Sequence, residues 1–484
     1  MKIRNRLRCC GCCLLYAIVL YLYLHLFVNA LIDDAFILLC YVKNLHGSVT
    51  WGFFPGCITN TATCPLNVLV LTAVDVFTRL PLDAAIWTAV ISLTAQSMML
   101  LRISGRLFGT EWFGHLAALA LIFNPLLVST IGMEGVLVVA LIVATLYCYV
   151  FHKWYWAAVV LALQMLTRPE GALYFLVFVA FVPTNRLRVR CAAIFAACIA
   201  PWYLFSWIYF GSLFPDTLIL KVAQHAWPEG HFLTGLLCYL RLYPTATVLS
   251  LAFLPLLALY FPARMRKHRV VSLLASFGVI HFAAYSLLHV PPYHWYYVPL
   301  VTTIILLGSC GLGFAYRGYR GRVWPRRLLL AVTAAYLAIP CLGMLDLLAR
   351  DRFVVKEVPI HSNSASHERY REIGLWLKER RIKDNIFVED EIGTIAYYSD
   401  CRVLNVFSDR SWLKPYLLSV PPGLKATLLK IDYLFLRDKR GWPPCSYFLT
   451  KHDTDVFDGK GTVCKKWKLS SRWKPHSVLV LSTK

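Results

Sequence analysis

"NALIDDAFILLCYVKNLHG", residues 29–47, follows a long apolar run and sets two carboxylates, Asp33 and Asp34, side by side. Adjacent like charges repel and both lose hydration near lipid, so the pair needs a reason to be there. Upstream, residues 11–32 are long and apolar enough for a transmembrane helix, and Lys2, Arg4, Arg6 and Arg8 precede them. The apolar core is too long for a signal peptide and no small-residue cleavage site precedes the acids, so the run reads as an anchor. With the basic end inside, Asp33 and Asp34 fall on the outer side.

The rest of the chain fits a polytopic membrane protein. Of its 484 residues 58% are hydrophobic and 15% charged, with mean hydropathy +0.58. Soluble domains carry about 45–50% apolar and about 25% charged residues. A formal charge of +23 is of the size nucleic-acid binders carry, but its location argues against such a partner. Nineteen cations sit in short segments between apolar runs: the four N-terminal ones, Arg102 and Arg106, Lys153, Arg186 to Arg190, Arg264 to Arg269, and Arg317 to Arg327. Cytoplasmic loops hold Lys and Arg in this way, so the charge is a topology signal.

Counting sides exposes a parity problem at residues 65–81, "PLNVLVLTAVDVFTRLP". If this segment and residues 82–101 both crossed, Arg102 and Arg106 would lie outside and every later basic loop would be inverted. The segment is short, bounded by prolines, and carries Asp75 and Arg79, so it reads as a juxtamembrane helix on the outer interface. Later spans are expected near 112–131, 135–151, 154–167, 171–184, 190–210, 243–261, 270–290, 297–315 and 328–348. The total is about eleven crossings, with the C-terminus outside. The predicted architecture is a membrane α-helical domain over 1–349 and a small extracytoplasmic α/β domain over 350–484. In the latter an amphipathic helix is expected at 369–381 and strands at 385–388, 402–406 and 432–436.

The 16 cysteines divide by environment. Cys9, Cys10, Cys12 and Cys13 crowd the inner end of the first span, as small membrane-edge residues or palmitoylation sites. Cys57 and Cys64 in one outer loop, and Cys401, Cys445 and Cys464 in the outer domain, could pair in an oxidising compartment.

Ionisable residues at membrane depth are functional candidates. Beside Asp33 and Asp34, the outer span ends carry Glu134 in "IGMEG", Arg168 and Glu170 in "LTRPEG", Asp216 and Lys221 in "FPDTLILK", and His294 and Tyr296 in "PPYHWYYVP". A solvated loop face explains any one of these. It explains the set poorly, because each lies against an apolar span. A carboxylate at membrane depth can act as general base toward a hydroxyl. Arg and Lys can hold a departing phosphate. Aromatics can stack on a sugar or line a lipid channel. Together they suit glycosyl transfer from a lipid-linked phosphosugar, and no P-loop, GxSxG or HExxH motif competes.

These residues also carry a resemblance. Asp33–Asp34 with "AFILLCYVKNLHG" is similar to the "DDAxIxxRYAxNLxxG" signature of GT-C-type membrane glycosyltransferases, the arabinofuranosyltransferases that use a polyprenyl-phosphate sugar. The similarity continues, in order, through "FFPG", "TATCPLNVLVL", "GMEG", "TRPEG", "YFGSLFPDTLILK", "YHWYYVP" and "EIGTIAYYS". Cys40 stands where the signature has Arg, and Asp216 where it has Asn. "CITNTATC" stands where relatives have an acidic loop. These departures leave the sugar open.

The resemblance implies a GT-C fold with a first-loop carboxylate as base and a juxtamembrane helix bordering the site. Asp34 or Asp33 is then the catalytic base, with its neighbour orienting it or binding acceptor or metal. Arg168 and Lys221 are expected on the donor phosphate, and Glu134, Glu170, Asp216, His294 and Tyr296 at substrate. An N-cap is the bland alternative for one acid of the pair and does not account for both. The expected activity is inverting transfer from a polyprenyl-phosphate sugar to a glycan, lipid or protein acceptor, on the outer side of the cytoplasmic membrane, with membrane lipids as partners and a divalent metal left open. A transporter or flippase of a lipid-linked precursor is the alternative, although the polar set lies on one side and inverted repeats are not evident. A structural scaffold for the cell envelope is a third class.

Overall fold

The computed structural model describes residues 14, 16–224, 230–257, 268–382, 384–389, 391–436, 443–453 and 461–483. The expectations for Lys2 to Arg8, Cys9, Cys10, Cys12, Cys13, Arg264, Arg266 and Lys267 lie outside them.

Five helices are long and apolar enough to cross a membrane: Pro81–Phe108, Asn185–Tyr209, Arg269–Leu287, His294–Gly318 and Val323–Arg350. Shorter apolar helices include Tyr16–His25, Pro65–Thr78, Trp112–Ile122, Gly135–Val150, Trp154–Thr167, Gly171–Phe181 and Phe232–Leu242. In Asn185–Tyr209 and Val323–Arg350 only 17% of the most apolar stretch is buried inside the protein. Apolar surface left uncovered on that scale is stable against lipid and costly in water. The chain is an integral membrane protein.

Two expected spans end early, each for a local reason. The first helix stops at His25, and extended Ala30 to Ile32 lead into a new helix, Asp33–Ser48. The segment expected at 112–131 breaks between Trp112–Ile122 and Pro125–Val128. Pro125 supplies no N–H to continue the first helix, and Asn124 caps the second by accepting from the backbone N–H of Leu126 and Leu127.

The chain forms two compact units. One contains the described residues up to Val28, with Ala85–Ile199 and Gln224–Ile360. It is a helical bundle whose core is packed by Phe113, Leu116, Val139, Leu161, Phe178, Leu273 and Ile305, all buried.

The other contains Asn29–Ala84, Ala200–Ala223 and His361–Lys484. Its sheet has the order β2-β1-β3-β5-β4, with β1 Asn385–Val388, β2 Arg402–Leu404, β3 Tyr447–His452, β4 Val463–Leu469 and β5 Ser477–Thr483. β2, β1 and β3 run parallel, whereas β3, β5 and β4 are antiparallel. β5, "SVLVLST", is buried along nearly its whole length, as its unbroken apolar run requires. Edge strand β4 alternates instead: Trp467 and Leu469 face inward while Lys466 and Lys468 face out, a charge pattern that discourages pairing with another chain. The amphipathic helix expected at 369–381 is His367–Glu379, and it buries Tyr370, Ile373, Gly374 and Leu377 at i, i+3, i+4 and i+7. The strand expected at 432–436 is absent. Those residues close the helix Leu424–Asp432 and form a turn, in which Asp432 and Tyr433 are drawn inward while Leu434 and Phe435 stay exposed.

Candidate functional site

The nine expected residues divide into two groups, one in each unit. Asp33, Asp34, Asp216 and Lys221 belong to the unit with the sheet. Glu134, Arg168, Glu170, His294 and Tyr296 belong to the helical bundle.

In the first cluster Asp33 opens the helix Asp33–Ser48, and its carboxylate reaches a partner 360 residues away. Oδ2 accepts from the backbone N–H of Gly393 (2.8 Å) and Oδ1 from that of Thr394 (2.7 Å). These are the exposed donors at the start of the helix Gly393–Ser399, so Asp33 caps a helix that is not its own. The approach depends on Gly393, where a Cβ would lie 2.2 Å from the Asp33 carbonyl oxygen and 2.8 Å from the Ile37 nitrogen. Asp33 is 4% exposed. Burial, reinforced by the charge of Glu391, pushes its carboxyl up to about 7 against the pull of the two N–H donors. Glu391 accepts from Ser364 N–H and the Tyr370 hydroxyl. Asp34, one position on and turned about 100° around the helix, is half-buried.

Asp216 is fully buried and begins the helix Asp216–Gln224 that carries Lys221. Its Oδ1 accepts from Arg410 Nη2 (3.0 Å) and the Tyr433 hydroxyl (3.0 Å), and its Oδ2 lies 2.8 Å from Arg410 Nε. Arg410 also donates to the Phe210 carbonyl and the Ser212 hydroxyl. Asn60 completes the cluster: its carbonyl accepts from Asp216 N–H (2.7 Å), and its amide donates to Ser206, Ser212 and the Phe214 carbonyl. Burial raises the Asp216 carboxyl above its ordinary value even beside a guanidinium. Expected at substrate, Asp216 has Oδ1 hydrogen-bonded by Arg410 and Tyr433 and Oδ2 in ion-pair contact with Arg410. Lys221 sits over the Phe407 ring, its Nζ 5.4 Å from the centroid.

The second cluster centres on Arg168, where Pro169 ends the helix Trp154–Thr167 and Glu170 begins Gly171–Phe181. Arg168 donates through Nε to Glu170, through Nη1 to Glu134 (2.6 Å) and through Nη2 to the Tyr285 hydroxyl (2.7 Å). Its guanidinium also lies 5.1 Å from the Tyr296 ring centre. All three charged groups are buried. Two carboxylates thus face one cation, and the three hydrogen bonds use three of the five guanidinium N–H groups. Below it, His281 Nε2 faces the Tyr296 carbonyl (2.8 Å), which can only accept. The ring proton is therefore on Nε2, and Nδ1 accepts from the Tyr174 hydroxyl (2.9 Å). His294 is fully buried, with Nε2 3.4 Å from the Ser129 carbonyl.

Arg410, Tyr433, Asn60, Tyr285 and His281 were not anticipated. "EIGTIAYYS" drew attention to Gly393 and Thr394 but not to their role as donors. Cys57 and Cys64, and in the outer domain Cys401, Cys445 and Cys464, each group weighed for pairing within itself, are not joined by disulfides; the Cys57 and Cys401 thiols point at the Ser408 and Ile382 carbonyls. Among the described residues no three His, Cys, Asp or Glu side chains gather as a metal site.

Solved structures with the same architecture include ArnT from Cupriavidus metallidurans bound to undecaprenyl phosphate, at 14% identity and TM-score 0.62 over 97% of this chain and 98% of that one. Another is the mycobacterial arabinofuranosyltransferase AftD, at 14% identity and TM-score 0.51 over 97% of this chain and 40% of that one. The chain has a GT-C fold. The Archaeoglobus fulgidus oligosaccharyltransferase, tethered to an acceptor peptide, shares this GT-C architecture at 11% identity and TM-score 0.53, over 91% of this chain and 69% of that one. No protein-family model matches the chain, and no curated protein matches it in sequence.

Proposed function

We propose that the protein is an inverting membrane glycosyltransferase that moves a sugar from a polyprenyl-phosphate donor to a glycan, lipid or protein acceptor on the outer side of the cytoplasmic membrane. In this reading about eleven segments cross, residues 65–81 lie on the outer interface, and residues 350–484 are extracytoplasmic. The observation that carries the proposal is the division of labour in the acid pair. Asp33 spends both oxygens on the start of Gly393–Ser399 and so fixes the helix on which Asp34 stands. The GT-C fold, and a neighbour of that fold solved with undecaprenyl phosphate, support the donor class.

Asp34 is the general base: it takes the proton of an acceptor hydroxyl as that oxygen attacks the anomeric carbon. The bond from that carbon to the phosphate oxygen breaks, and the polyprenyl phosphate leaves with the electron pair. Lys221 holds the phosphate and stabilises the charge that grows on it. Asp33 is a positioning residue, and its raised proton affinity follows from burial.

The test is transfer of labelled sugar from a polyprenyl-phosphate donor in reconstituted vesicles. Asp34→Asn should lower kcat by about 10²–10⁴-fold, whereas Asp33→Asn should lose less rate and more stability. A folded Asp33→Asn/Asp34→Asn double variant with parental transfer would sink the mechanism. Movement of the lipid-linked sugar across the bilayer without transfer would favour the transporter reading instead.

A further inference from the structure

Residues 413–436 present far more apolar surface than an extramembrane segment should. Every residue of the helix Leu424–Asp432 is at least partly exposed. Leu424, Leu428 and Ile431 fall at i, i+4 and i+7, on one stripe. Leu434 and Phe435 extend that surface past the end of the helix, and Leu418 adds to it from the preceding helix, Leu413–Ser419. These six side chains are between 42% and 79% exposed. A contiguous apolar patch of this kind marks a binding surface.

What covers it is indicated by where the segment is anchored. Trp207, two residues from the end of the membrane-spanning helix Asn185–Tyr209, donates its indole N–H to the Ile431 carbonyl (3.1 Å) and meets the Phe435 ring edge-on at 5.2 Å. Gly211 adopts φ +73°, and a Cβ there would lie 2.6 Å from Leu436 Cα, so the two backbones touch. The exposed side chains of the last turns of that spanning helix are Leu204, Phe205, Ile208 and Tyr209. The stripe on 424–435 therefore continues a lipid-facing surface. Exposed Lys425 and Lys430 lie about 100° and 120° to either side of Leu424, where lysines reach lipid headgroups while apolar neighbours enter the acyl region.

We propose that residues 413–436 are embedded in the membrane interface, with Leu424, Leu428 and Ile431 among the acyl chains and the two lysines at the phosphates. The inward side of the same segment reaches the cluster around Asp216. Tyr433 donates to Asp216, and the Asp432 carboxylate accepts from Leu213 N–H (2.7 Å) and Phe214 N–H (3.0 Å). The depth at which the segment sits thus bears directly on the loop that begins the Lys221 helix.

The experiment places p-benzoyl-phenylalanine at position 424, 428 or 431 of the full chain. The protein is reconstituted in phosphatidylcholine–phosphatidylglycerol vesicles with radiolabelled acyl chains and irradiated. Ile208 is the lipid-facing reference and Lys466, exposed on β4, the aqueous one. The stripe should form lipid adducts at a yield close to that of position 208 and about tenfold above position 466. Yields at the stripe no higher than at 466, with position 208 labelled normally, overturn the proposal. So does crosslinking of the stripe to a second copy of the chain in place of lipid.

Discussion

Replacing Arg410 with methionine tests whether the Asp216 cluster is held together as described. The guanidinium places Nη2 and Nε 3.0 Å and 2.8 Å from the two oxygens of a carboxylate with no exposed surface. Methionine fills similar space but leaves Asp216 with the Tyr433 hydroxyl as its remaining side-chain donor. Removing one member of a buried pair costs about 3–5 kcal/mol, most of it the stranded charge. Because burial already raises the Asp216 carboxyl, proton uptake limits the loss. Arg410→Met should therefore cost about 3 kcal/mol at neutral pH and less in acid. Asp216→Asn strands the guanidinium and should cost a similar amount, whereas the double variant buries no charge. A double-mutant cycle, measured by denaturation in detergent, should give a coupling of at least about 2 kcal/mol. Each single variant should also raise the KM for donor, since the Lys221 helix begins at Asp216. Single variants within about 0.5 kcal/mol of the parent, or additive losses, would mean that Arg410 does not hold Asp216.

Three further outcomes follow from the same geometry. Gly393→Ala drives a methyl into the Asp33 carbonyl and should cost about 1–3 kcal/mol together with kcat, read by thermal unfolding and transfer assay; a variant with parental values would remove the Asp33 contact from the argument. Asp33 keeps its proton to about pH 7 when folded but to near pH 4 when unfolded, so its contribution is complete below pH 4 and lost as pH rises through 7. Stability should fall by up to about 4 kcal/mol across that window, and Asp33→Asn should flatten the profile; equal slopes in parent and variant would contradict this. Lys221→Ala should lower kcat/KM for the donor by about 10- to 100-fold, the worth of one hydrogen bond to a charged group, while a parental value would place the phosphate elsewhere.

Legible in the residues themselves were the membrane class, the amphipathic helix near 369–381 and the strands β1 and β2. These are local signals: a run of apolar residues, a cluster of cations or a repeat of 3.6 or 2 is written in neighbouring positions. The GT-C fold was legible too, through an ordered set of short motifs.

Which groups the charged residues meet follows from the tertiary fold. The partners of Asp33 at Gly393 and Thr394, and the partner of Asp216 at Arg410, lie hundreds of residues away, and no local pattern marks them. Arg168, expected on the donor phosphate, is set by the fold between Glu134 and Glu170. The strand expected at 432–436 failed for the same reason. An alternating apolar stretch reads equally well as a strand or as the end of an interfacial helix, and here Leu213 N–H bonds the Asp432 carbonyl, Asp216 accepts from Tyr433, and the Gly211 backbone lies against Leu436. A buried charge is chosen for the partner that neutralises it, and that partner is brought to it by the packing of apolar surfaces rather than by position in the chain.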